Sequence, residues 1–369
     1  MSVEQPEIPP APFRWKYAVL AVVIAALAVG AVLFASGSDP NKVAGQVNVK
    51  NLPIGPKPPG LTGAKGWINS SPVTASDLKG KVVVYDFWTY SCVNCVRTLP
   101  HLRAWYDRYK SDGLVVVGVH SPEFDFEKNH QNVRAAVKRL NVDYPVALDD
   151  NMDIWNAFGN QYWPNKYVTD REGRLRFEHI GEGGYRETEN VLRELLGVSK
   201  SAARASAVNE GRVGKPPAAD QLITGETYLG TLRGVAGAQD GKHDYPKIEG
   251  PLLAGAAGLE GPWDSGSEKV TSIALGASIV LGYQAREVNL VMATASGAPI
   301  RVLVEVDGKP LPPNERTPET MVDANGNTFV VVAASDLYRL VLGPAVEGHT
   351  LRLIAQAPGL EAFAFTFGA

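Results

Sequence analysis

The chain has 369 residues, 36 basic against 39 acidic side chains for a formal charge of -3, and only two cysteines. That balance gives no basic field for a nucleic-acid partner. Two cysteines with six histidines, none of them in a ligand spacing, argue against a zinc centre.

Residues 1–12 are polar and proline-rich and read as a disordered tail, the start of a cytoplasmic segment over residues 1–16. Tyr17 to Ala35 then forms an almost wholly aliphatic run, long enough to cross a bilayer core. Arg14 and Lys16 flank its N-terminal side, so the charge rule places everything beyond Ala35 outside the cytoplasm. The expectation is one transmembrane helix in the inner (cytoplasmic) membrane, retained rather than cleaved as a signal peptide, with the soluble part on the periplasmic side. Residues 36–66, with Pro53, Pro56, Pro58 and Pro59, read as an extended tether.

Residues 67–198 alternate strand and helix. Lys81 to Trp88 is a β-branched and aromatic run that predicts a buried strand. Val96, Leu99, Leu102, Tyr106 and Tyr109 recur at helical spacing and predict a helix starting near Cys92. Cys92 and Cys95 therefore stand where a strand hands over to a helix N-terminus, whose free N–H groups and dipole stabilise a thiolate. This arrangement makes Cys92 the expected nucleophile and Cys95 the residue that resolves a mixed disulfide held on it. A four-residue loop is a poor structural staple. Val96 stands where a c-type haem site needs histidine.

The segment Asp86-Phe87-Trp88-Thr89-Tyr90-Ser91-Cys92-Val93-Asn94-Cys95, followed by Pro100, resembles the active site of thioredoxin-like (redoxin) thiol-disulfide oxidoreductases. The longer Thr89 to Pro100 run resembles the extracytoplasmic part of DipZ-type proteins. This resemblance implies that Asp86 is a buried carboxylate serving proton transfer at Cys95, and that Pro100 kinks the helix. Tyr162-Trp163-Pro164-Asn165 resembles the loop carrying the family's cis-proline, which implies that Pro164 faces the cysteines and that Trp163, with Trp88, lines the substrate groove. Gly181 to Tyr185 matches the same pattern without an assigned role. No cofactor beyond the dithiol/disulfide pair is expected.

Further elements are predicted at Leu114 to His120 (strand), Asn129 to Leu140 (helix), Tyr144 to Leu148 (strand), Asp153 to Phe158 (helix), Lys166 to Asp170 and Arg174 to Ile180 (a strand pair), and Glu187 to Leu196 (helix). Residues 199–220 read as a linker. From 221 to 369 the helical signal disappears and seven strand-like runs remain, at Ser272 to Ala277, Glu287 to Ala295, Arg301 to Asp307, Thr328 to Ala333, Tyr338 to Leu342, Thr350 to Ala355 and Ala362 to Phe367. Asp307-Gly308 is a hairpin turn signal. The expectation is a β-sandwich of jelly-roll type. Its DipZ-type counterpart resembles carbohydrate-binding modules, and Tyr228, Trp263 and Tyr283 are the candidate aromatics for an envelope glycan.

The expected function is a membrane-anchored thiol-disulfide oxidoreductase, acting as a reductase of protein substrates. With no further thiol in the chain, a separate membrane redox partner is expected to regenerate the pair. The alternatives are an envelope glycan-binding protein with a structural disulfide, and a thiol peroxidase. For peroxide chemistry Thr89 is in place, but Tyr85 occupies the position of the required proline.

Overall fold

The structure is a computed structural model and describes residues 51–198, 222–234 and 237–369. The expected tail, transmembrane helix and inter-domain linker lie outside these residues. Among the described residues no helix is long and apolar enough to cross a membrane.

The first half is a six-stranded sheet covered by helices on both faces. Its elements are β1 (Gly66–Ile68), α1 (Ala75–Leu78), β2 (Val82–Trp88), α2 (Val93–Tyr109), β3 (Leu114–His120), α3 (His130–Arg139), β4 (Val146–Leu148), α4 (Asp153–Phe158), β5 (Asn165–Thr169), β6 (Leu175–Ile180) and α5 (Tyr185–Leu196). The strand order is β1-β4-β3-β2-β5-β6, with β2, β3 and β4 parallel and the others antiparallel to their neighbours. Strand β2 is buried at every residue, which explains its unbroken apolar run with one charged exception, Asp86. Gly118 lies opposite Asp86 in β3; a Cβ there would come within 2.8 Å of Trp88 Nε1, so glycine lets that indole fill the core.

Two short elements were not legible in sequence: β1, and α1 with its Thr74–Asp77 capping box. The expected tether is bound to the domain from Leu52 onward. Gly55 and Pro56 exchange backbone hydrogen bonds with Leu175, and Arg176 holds the carbonyls of Leu52 and Pro53.

The second half is all-β. Its strands are β7 (Thr227–Tyr228), β8 (Gly241–Tyr245), β9 (Ala257–Ser265), β10 (Val270–Ser272), β11 (Ser278–Thr294), β12 (Ile300–Val306), β13 (Lys309–Pro310), β14 (Met321–Val322), β15 (Thr328–Val332), β16 (Asp336–Ala355) and β17 (Leu360–Gly368). They form one hydrogen-bonded network, because β11 and β16 are long enough, at 17 and 20 residues, to serve several partners. Strands β11, β17, β10 and β9 pair in a closed ring. Tyr338 to Leu342 and Thr350 to Ala355, expected as two strands, are the two ends of β16. Ser272 to Ala277 is not a strand: beyond Ser272 the chain turns, with Gly276 at φ +87. Asp307 and Gly308, both at positive φ, make the expected hairpin between β12 and β13.

The two halves pack against each other. Phe124 and Phe126 of the β3–α3 loop meet Phe363 of β17, with ring centroids 5.1 and 4.9 Å away. Arg97 of α2 pairs with Glu287 of β11 at 2.6 Å, and Arg139 of α3 with Asp336 of β16 at 2.5 Å.

Candidate active site

Cys92 is the N-cap residue of α2, and the backbone N–H of Cys95 donates to its sulfur at 3.2 Å. A thiolate there is met by a directed donor and by the positive end of a 17-residue helix. Cys92 is partly exposed, Cys95 is buried, and their sulfurs stand 2.6 Å apart. Burial, then the contact with Cys92, pushes the Cys95 thiol well above its ordinary range. The pair is thus unsymmetrical: one sulfur is open to a partner, and the other stays protonated until a base assists it.

Asp86 supplies a candidate base. It is buried, neither carboxylate oxygen has a hydrogen-bond partner among the described residues, and burial pushes it up to about 7 against the opposing pull of Lys166. Sequence reasoning missed Lys166, a fully buried lysine whose Nζ donates to the Gly181 carbonyl at 3.1 Å. Burial lowers its pKa while the charges of Asp86 and Cys95 raise it. A lysine two residues past a proline carries no local signal of burial; only the pairing of β5 with β2 sets it beside Asp86.

Glu127 was missed for the same reason. This buried glutamate accepts a hydrogen bond from Ser91, the neighbour of Cys92, at 2.5 Å, and two more from the backbone of Glu123 and Phe124. Burial pushes it up to about 7. It pins the cysteine turn to the loop that carries Phe124.

The Trp163–Pro164 peptide is cis, and Pro164 is buried at the head of β5. The Pro164 carbonyl accepts from Gly181 N–H at 2.8 Å. Gly181 to Tyr185 thereby gains a structural account: Gly181 holds both Pro164 and Lys166, Glu182 faces Arg97 at 3.5 Å, and Tyr185 stacks on His101 at 3.5 Å. Trp163 is half-buried, packs at a tilt against Trp155 with ring centroids 4.1 Å apart, and donates from Nε1 to the Ser121 carbonyl. Trp88, expected in the groove, is instead fully buried: its ring packs edge-on against His120 inside the core, so it cannot touch a substrate.

Burial drives the His120 pKa down to about 3, leaving a neutral ring beside Thr89. His130 faces Asp150 at 2.7 Å, a pairing the sequence does not reveal. Among the described residues no cluster of side chains could hold a metal ion. The glycan candidates do not form an exposed platform: Trp263 and Tyr283 are core residues, and Tyr228 sits at the domain interface.

Comparison with known proteins accords with this geometry. Residues 57–178 match the AhpC/TSA family, and residues 224–368 match the thioredoxin-like C-terminal domain family. Protein DipZ of Mycobacterium tuberculosis is 35% identical over 322 residues, covering 84% of this chain and 42% of DipZ. The chain therefore spans less than half the length of that relative. The thiol-disulfide oxidoreductase YkuV of Bacillus subtilis is 32% identical over 139 residues, covering 37% of this chain and 93% of YkuV. The solution structure of a thioredoxin-like protein in the oxidised form aligns with a TM-score of 0.36 at 32% identity, over 40% of this chain and 98% of the other. With a Cys-x-x-Cys pair at the head of α2 and 93% of YkuV matched at 32% identity, the chain belongs to the thioredoxin-like thiol-disulfide oxidoreductases.

Proposed function

We propose that the chain is a membrane-anchored, extracytoplasmic reductase of protein disulfides, with its redox domain in residues 67–198 and an all-β domain in residues 221–369. The observation that carries this reading is the asymmetry of the pair: an open Cys92 backed by an N–H donor, and a buried Cys95 close to Asp86.

The Cys92 thiolate attacks one sulfur of a substrate disulfide, forming a mixed disulfide and releasing the first substrate thiol. Asp86 then takes the Cys95 proton, and the new thiolate attacks Cys92. The Cys92–Cys95 bond forms as the bond to substrate breaks, and the second thiol leaves. Two electrons have passed to the substrate, and a separate membrane donor must restore them. The hydrophobic run at Tyr17 to Ala35 supports the anchor and the outward placement.

The test is the reduction potential of the full chain in detergent, by equilibration with dithiothreitol or glutathione. A value near that of thioredoxin, about -270 mV, is expected of a reductase, whereas one near -120 mV would make the protein an oxidant. An inert disulfide below roughly -300 mV would overturn a redox role. Membrane fractionation with protease accessibility tests the anchor and its orientation.

A further inference from the structure

A cavity of about 220 Å³ lies between the redox domain and the all-β domain. Glu123, Met152 and Trp163 line it from one side, Tyr228, Leu232 and Arg233 from the other. One of its walls is tied to the reactive centre through the chain. Trp163 directly precedes Pro164 and is bonded to Ser121; the same loop runs on to Glu127, which holds Ser91 beside Cys92.

The walls are fixed to each other before any ligand arrives. Tyr228 Oη and Arg233 Nη1 both donate to Glu123, at 2.8 and 2.9 Å, and the Arg233 guanidinium lies 3.9 Å from the Tyr228 ring centroid. These polar groups satisfy one another and the Glu268 carboxylate accepts from the Asp125 N–H, so the apolar contact left for a visitor comes from Pro122, Met152, Trp163 and the exposed Leu232. The volume falls below the roughly 300–1,000 Å³ of small-molecule sites and suits a single large side chain.

We infer that this cavity receives an apolar side chain flanking the reactive cysteine of the polypeptide substrate, so that the all-β domain forms one wall of the substrate groove and sets specificity. This rests on the reductase reading above. An occupant presented by a polypeptide fits the position beside the cis-proline loop, where an extended chain lies during thiol exchange.

The test uses the full chain in detergent, pre-reduced, with mixed-disulfide peptides whose cysteine is flanked on either side by Phe, Leu, Gly or Asp, and a small aromatic disulfide as reference. The wild-type protein is expected to favour Phe or Leu on one side by about tenfold in kcat/KM, the worth of a filled apolar pocket. Leu232→Asp and Ser267→Trp change exposed residues at the cavity and touch neither cysteine. Both are expected to bring the preference to within about twofold of unity while the reference disulfide is reduced at the wild-type rate. No side-chain preference in the wild type, or one that survives both variants, overturns the inference while leaving the reductase reading intact. Failure to reduce any of the disulfides, reference included, overturns the reductase reading itself.

Discussion

Lys166 is the direct antiparallel partner of Asp86, and both are sealed behind the cysteines at 0% and 1% exposure. The carboxylate is held up by its burial and pulled down by the lysine. Its titration therefore reports on both.

Replacing Lys166 with methionine removes the downward pull. If Asp86 is the base for Cys95, the rate at which Cys95 releases a mixed disulfide is expected to rise in the wild type with a midpoint near pH 7. In Lys166→Met that midpoint is expected to move up by about one pH unit. Stopped-flow release from a trapped mixed disulfide, followed across pH, measures it; an unmoved midpoint would show that Asp86 does not feel the lysine.

Asp86→Asn tests the cost of the buried carboxylate. An unfolded aspartate titrates near roughly 3.9, whereas the folded group titrates at about 7. Between those values the native state binds more protons, so this group's stabilising contribution is full below the lower value and is lost as pH rises through the upper one. Asparagine does not titrate. The variant is expected to match the wild type more closely near pH 4 and to exceed it at pH 8 by on the order of 2 kcal/mol. Urea midpoints at the two pH values decide it, and a gap that shrinks toward pH 8 would refute the assignment.

Glu127→Ala leaves the Ser91 hydroxyl and the N–H groups of Glu123 and Phe124 without their acceptor. The expected loss is about 3 kcal/mol. Glu127→Gln keeps one acceptor oxygen and should recover part of it. Guanidinium unfolding of the three proteins provides the comparison.

Phe363→Ala removes the ring that Phe124 and Phe126 grip. A loss of about 3 kcal/mol is expected. Because this contact belongs to both halves of the chain, the wild type should unfold in a single transition; two separate transitions by calorimetry would show that the halves are energetically independent.

What the sequence reveals is what local chemistry dictates. The strand, the turn and the helix around Cys92 follow from apolar spacing, and the N-cap position of the nucleophile follows from them. Pro164 was legible only through family resemblance. Lys166, Glu127 and Arg97 act on partners far along the chain, so nothing near them distinguishes a buried functional charge from a solvated one. In the all-β half the sequence suggests two strands where β16 is one: the backbone stays extended from Asp336 to Ala355, while its pairing with β11 skips residues 343–346 and shifts register there.

Phe124 and Phe126 bear on what a minimal enzyme would be. A relative such as YkuV is aligned to this chain over little more than one domain. Here the loop that steadies the cysteine turn also offers its aromatic rings to β17. Trimmed of everything after Val198, the redox half would expose those rings to water, take Glu287 from Arg97, and leave the side chains of Glu123 and Arg139 without Tyr228, Arg233 and Asp336. Such a truncation would be a sticky remnant, with its catalytic turn loosened at one end.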